Sequence, residues 1–386
     1  MSNLTVIRTA HSSIPQAEQA IQQLVAELLE PDTELVILFC STNYDRAILA
    51  TEIKRRFAGV NVIGCTTAGE IGAKGFTQDS MVGISFSGDV FTAKSCLIDN
   101  LQQFKMRDGH IAAKQLLQDL QNEVMHLSPG NCFGFLLIDG LSVREEPVTY
   151  AVQSEIGHIA MIGGSAGDNM LFRNTHVFFN GDFHVDSAIL LLLHTTLPFK
   201  IFKTQHFEPT SERLVVTLAD VRQRIVHEIN GLPAAAEYAR LIGVPLAALG
   251  SQHFAAAPVV VNIDDNYYVR SIRCVNDDGS LTFYCAIEEG LVLRVAKTVD
   301  PIESLNKSFA EVRAEIGPPL LTLACDCVLR KFELMQRGIG AQAEQILLEN
   351  KVVGFNTYGE QFRGVHVNQT FAAIAIGSAD RKNQSG

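Results

Sequence analysis

Apolar runs of strand length alternate along this chain with segments whose apolar residues recur every three or four positions. Ala17, Ile21, Leu24, Val25 and Leu28 share one helical face, with Ser12 or Ser13 as the expected cap, Pro15 in the first turn and Pro31 beyond the end. Glu34 to Cys40 then reads as a strand, Asp45 to Phe57 as an amphipathic helix and Val60 to Gly64 as a short buried strand. Met81 to Phe86 and Val90 to Leu97 read as antiparallel strands around Ser87-Gly88-Asp89. A helix near His110 to Met125, a strand at Cys132 to Ile138 and a helix from about Arg144 to Gly157 follow. The alternation predicts an α/β fold of mixed sheets with helices on their outer faces, and an αββα-like sandwich is one way for such units to pack.

Farther along, Thr175 to Phe179 and His184 to Leu193 are predicted to pair as a hairpin closed at Asn180-Gly181-Asp182. Phe199 to His206 and Arg213 to Leu218 alternate like strands. The pattern changes around Arg222 to Asn230, and Gly231-Leu232-Pro233 opens a helix. A boundary there divides the chain into modules 1–222 and 223–386. Strands are expected near Val259 to Ile263, Tyr267 to Val275 and Leu281 to Ile287, and the tail from Ser378 is polar.

One phrase is repeated. Val62-Ile63-Gly64-Cys65-Thr66-Thr67-Ala68-Gly69-Glu70 recurs as Val352-Val353-Gly354-Phe355-Asn356-Thr357-Tyr358-Gly359-Glu360, with five of nine positions identical. A looser copy runs Met161-Ile162-Gly163-Gly164-Ser165-Ala166-Gly167-Asp168. Each follows a strand and a helix, so the chain reads as a repeated strand, helix, strand, glycine loop, strand unit. The bland reading of the loops is that their glycines turn corners while Glu70, Asp168 and Glu360 cap following amides. Neither a dinucleotide fingerprint nor a Gly-Lys-Ser/Thr loop is present.

Composition narrows the function classes. A net charge of −11 without a basic stripe argues against a nucleic-acid partner. The most uniform apolar run, Ala188 to Leu193, is too short to span a bilayer, and the first residues lack a secretion signal, so a cytoplasmic protein without a membrane span is expected. Eight scattered cysteines suit buried thiols in a reducing compartment, and Cys325-Asp326-Cys327 has no second pair to complete a zinc site.

The three glycine loops together with Asn230-Gly231-Leu232-Pro233-Ala234 resemble the FIST family, over nearly the whole chain. The resemblance implies paired N- and C-terminal sensory modules of an intracellular signal-transduction protein that binds a small ligand. Phe199-Lys200-Ile201-Phe202-Lys203-Thr204-Gln205-His206-Phe207-Glu208-Pro209 is similar to the bacterial nitric-oxide-sensing branch, which binds haem and regulates a separate histidine kinase. No kinase, phosphoacceptor or DNA-binding segment is recognisable, so the output is expected through that partner; homodimer formation is left open.

Haem needs an apolar slot, an axial donor and cations for its propionates. The chain has 22 phenylalanines, and His206 stands close to Lys203 and Lys200. His206 is the first candidate ligand and Lys203 a candidate propionate partner; His184, His176 and Arg173, near the predicted hairpin, come next, then His194. Cys65 or Tyr358 could ligate instead. No Cys-x-x-Cys-His run occurs, so the expected cofactor is noncovalent haem b, with nitric oxide as its ligand. Two other readings stand beside it. One is a sensor of an amino-acid-like metabolite held by Glu70, Asp168 or Glu360. The other is an enzyme with Cys65 or Cys325 as nucleophile, against the main expectation of a non-enzyme.

Overall fold

The computed structural model describes residues 5–263 and 266–379. Most of the polar tail lies outside the described residues. The repeat seen in the sequence is a structural one, and it occurs three times. The first unit orders its strands Ile7–Ser12, Met81–Ser87, Thr33–Cys40, Asn61–Thr66. The second orders Phe91–Ile98, Ala188–Thr195, Cys132–Ile138, Met161–Ser165, and the third Phe199–Thr204, Phe371–Ile376, Leu321–Cys327, Val352–Thr357. In each, the last two are a parallel pair joined by a helical crossover, and the others are antiparallel.

The units then exchange hairpins in a ring. The 70–77 hairpin of the first unit completes the third sheet, with Ile71 opposite Gly354. The 360–367 hairpin of the third completes the second sheet, with Gln361 opposite Gly163. The 177–184 hairpin completes the first, with Phe178 opposite Gly64. The exchange explains why the glycines recur. A Cβ at Gly64, Gly163 or Gly354 would lie 2.1, 2.2 or 1.8 Å from the carbonyl oxygen of Leu38, Leu136 or Ala324 on the parallel neighbour. No side chain fits there.

Strand residues alternate between two buried faces, which is why these strands read as unbroken apolar runs. Leu35, Ile37 and Phe39 point into a core shared by all three sheets, where Phe39 stacks on Phe355 at 4.6 Å. Val36, Leu38 and Cys40 point outward against Ile21, Leu24, Leu49 and Ile53 of the covering helices. Helices outside and sheets inside is the expected layering; the interior is closed by three sheets rather than two.

A fourth, eight-stranded antiparallel sheet packs beside the ring around its own core of Leu214, Tyr238, Val259, Phe283 and Leu293. The long strand Phe207–Asp220 enters it directly after the third unit's edge strand. Two local expectations are corrected. The hairpin partner of Val177–Phe179 is only Asp182–His184, because Ala188–Thr195 belongs to the second sheet, where it runs between Phe91–Ile98 and Cys132–Ile138. The first helix, Ala17–Leu28, starts after Gln16 without a side-chain cap, since the Ser12 hydroxyl accepts from the amide of Ile14 instead.

Candidate functional site

Three loops that leave the parallel strands meet at the centre of the ring. The amide of Ala68 donates to the carbonyl of Asn356 (3.0 Å), that of Ser165 to Gly359 (2.8 Å) and that of Gly167 to Thr66 (2.9 Å), so each loop is tied to another. The acids in them serve the backbone. Glu70 accepts from the Thr67 hydroxyl and from the amide (3.3 Å) and hydroxyl (2.6 Å) of Ser80; Glu360 accepts from the Thr357 hydroxyl and the amide of Thr370 (3.2 Å). Asp168 accepts from the amides of Phe172, Arg173 and Asn174 and from the Tyr358 hydroxyl. The capping reading of these acids therefore holds. By strand register Asp168 stands where Gly69 and Gly359 do, one position before the glutamates.

Burial pushes the Glu70 carboxyl up to about 7, against the hydrogen bonds from Ser80 and Thr67 and the charge of Lys331. Its pKa is thus raised in the folded state, and the protonated form is favoured by folding. The stability of the wild type relative to Glu70→Gln should fall as pH rises from about 4.5 to 7, then level off. Denaturant titrations of both proteins across that range measure the difference. A flat or rising difference would contradict the assignment.

Beside the loop cluster, at the seam with the fourth sheet, lies a cavity of about 280 Å³. Met170, Phe254, Arg273, Tyr284, Leu329 and Glu333 contribute to its wall. Phe172 stacks between Tyr358 (4.6 Å) and Tyr284 (6.4 Å), with the Arg273 guanidinium 5.6 Å above its ring. Glu333 comes from the helix Val328–Gln336, on which Phe332 and Met335 are exposed. Its Oε1 accepts from Arg337 at 3.0 Å and its Oε2 meets Nε2 of His206 at 2.7 Å. Burial opposes the Glu333 charge, but the bonds from His206 and Arg337 outweigh it and hold its pKa low.

His206 is not a rim residue, as a strand position at a pocket edge would suggest. It is 1% exposed, between the third unit's edge strand and the long strand of the fourth sheet, with its ring 4.2 Å from that of Phe207. Its Nδ1 is buried and has no partner among the described residues. Burial lowers its pKa despite Glu333, favouring the neutral imidazole. Lys203 is bound elsewhere: its ammonium donates to the carbonyl of Tyr267 at 3.3 Å and sits 4.4 Å over the ring of Tyr268. Desolvation brings its pKa down to about 8.

The other predicted residues are not gathered around His206. His184 contacts the carbonyl of Phe179 at 3.2 Å in the first sheet, and Arg173 is exposed on the loop capped by Asp168. His176 pairs through its backbone with Thr66, and His194 lies on the second sheet against Thr92 and Cys132. Cys65 and Cys325 are fully buried with thiols pushed well above their ordinary value, the state of inert core cysteines. Glu333, Arg273 and Tyr284 were not singled out in the sequence. All three line the 280 Å³ cavity, which His206 reaches only through its bond to Glu333, and only the packing of the fourth sheet on the ring brings them together.

Comparison with known proteins decides the family: the FIST N domain matches residues 34–232 and the FIST C domain residues 234–363. The chain belongs to the FIST family. FIST modules are sensors in signal transduction, and this FIST protein has both halves. No curated protein matches it. Among solved structures it is similar to a cyanuric acid hydrolase from A. caulinodans, at 8% identity and TM-score 0.37, over 97% of this chain and 99% of that one. Among the described residues, no helix is long and apolar enough to cross a membrane.

Proposed function

We propose that this FIST protein is a haem-based nitric oxide sensor that regulates a separate histidine kinase. The observation that carries the reading is the imidazole of His206, with one ring nitrogen on the Glu333 carboxylate and the other buried without a partner among the described residues. Metal-ligating histidines are commonly oriented this way, through a carboxylate on the nitrogen that does not bind the metal. On this reading His206 would hold the haem, Glu333 would orient the ring, and Arg273, on the wall of the adjoining cavity, would face a propionate. When bound, the haem supplies an open iron position for a diatomic gas.

The chain's own residues would convert ligation into a signal. The cavity as it stands is smaller than a haem, so uptake on this reading moves the Val328–Gln336 helix, which presents Phe332 and Met335 to solvent. A partner that distinguishes the two positions of that helix reads the ligand; one that binds both equally reads nothing.

A second reading rests on the cavity itself. Its volume is at the small end of organic-ligand sites, and Arg273, Glu333, Gln252, Gln336 and Gln369 give it both charges and amide groups suited to an amino-acid-like metabolite. The test that separates the two is haem uptake by the purified protein, followed by its absorption band near the blue edge of the visible spectrum. Absence of the band, with thermal stabilisation by an amino acid that Arg273→Ala removes, would replace the first reading by the second.

A further inference from the structure

We infer that the protein carries a second small-molecule site, for a nucleotide-sized organic phosphate, in the cleft between the second unit and the turn at residues 221–224. The cleft encloses about 750 Å³, within the range of small-molecule sites, and shares no lining residue with the 280 Å³ cavity. Its lining is part apolar and part cationic. Leu141, Val143, Pro147, Val221 and Ala286 form the first; Arg144, Arg222 and Arg224 the second.

What decides the ligand's charge is which of these groups is already matched. Arg224 donates to Glu145 Oε2 (2.8 Å) and Glu146 Oε2 (2.7 Å), and the other oxygen of Glu146 accepts from the amide of Ala286. Arg224 is thereby held by two carboxylates and offers the cleft no free cation. The neighbouring acids are held by backbone: Asp139 accepts from the amides of Leu141 and Asp186, Asp186 from that of Gln102, and Asp220 from those of Arg222 and Gln223, so their oxygens are turned to the chain although they keep their charge. Among the described residues the Arg144 guanidinium has a single 3.3 Å contact, to the Gln102 carbonyl, and its Nε is buried with no partner. The guanidinium of Arg222 has no carboxylate partner among the described residues. Two unmatched guanidinium groups facing one cleft suit a phosphate, which each can bind through parallel N–H bonds. The apolar lining residues suit the ring of an organic ligand.

Isothermal titration of the full chain with ATP, pyrophosphate and adenosine tests the site at about 0.1 M salt, where long-range attraction is screened. ATP should bind once per chain, at least tenfold tighter than pyrophosphate or adenosine alone. Arg222→Ala should weaken ATP at least tenfold while leaving the ligand-free melting temperature unchanged, since that side chain is exposed; Arg144→Ala should weaken it as well. No ATP binding at millimolar concentration, or binding that neither substitution changes, would overturn the site. Pyrophosphate binding as tightly as ATP would overturn the organic phosphate assignment. Haem binding is read separately by absorption, so the failure of either proposal leaves the other intact.

Discussion

Gly354→Ala should destabilise the protein severely. Its new Cβ would stand 1.8 Å from the backbone oxygen of Ala324, 2.7 Å from that residue's carbonyl carbon and 3.0 Å from its nitrogen. Backbone cannot step aside as a side chain can. Relief requires separating the parallel pair Leu321–Cys327 and Val352–Thr357, in which Ala324 and Gly354 are register partners, and this pair lines the shared core. An expected loss of about 4–5 kcal/mol places the substitution among the rare severe ones and takes up a third or more of the stability of an ordinary domain. Gly64→Ala and Gly163→Ala should behave alike, because the same clash recurs at 2.1 and 2.2 Å in the other two sheets. Gly130→Ala is the control, since its Cβ would make only an ordinary 3.9 Å contact with Ser128 Oγ. Denaturant unfolding measures all four. Near-neutral behaviour of Gly354→Ala would contradict the equivalence of the three units.

His206→Ala should abolish haem binding or weaken it at least a hundredfold, with partial recovery of the absorption band when free imidazole is added to the mutant. The substitution also removes Glu333's partner and opens a small buried space, which costs about 1–3 kcal/mol of stability. The fold must therefore be checked by circular dichroism and a melting curve. Glu333→Gln supplies a reading that a merely structural role would not move: it leaves a hydrogen-bonding group beside Nε2 but removes the charge, so haem should still bind, with an altered reduction potential. His184→Ala should retain haem with an unchanged spectrum. If His206→Ala folds and keeps the wild-type spectrum, the ligand is another residue.

Much of this was legible in the sequence for a definite reason. Strands buried on both faces leave unbroken apolar runs, and glycines that oppose a neighbouring carbonyl cannot be replaced, so Glu34 to Cys40 and Gly64 and Gly354 announced themselves. The third copy was fainter because Gly163-Gly164-Ser165 keeps the steric requirement while Asp168 takes a different backbone role from Glu70 and Glu360. The exchange of hairpins was not legible. Residues 177 to 184 carry the turn signal of a hairpin, and His184 does pair with Val177, but nothing in them states which sheet receives the hairpin or that Ala188–Thr195 leaves for another sheet. The site suffered from the same limit. His206 was visible as a potential ligand, yet its burial and its bond to Glu333, 127 positions away, arise only when the helix Val328–Gln336 packs against the start of the fourth sheet.

Titration of the purified wild-type protein with haemin, followed by exposure to nitric oxide, tests the sensor account most directly. The account predicts saturation at one haem per chain, an absorption band near the blue edge of the visible spectrum distinct from that of free haemin, and a shift of that band on adding nitric oxide to the reduced complex. A spectrum that remains that of free haemin at every ratio would contradict it.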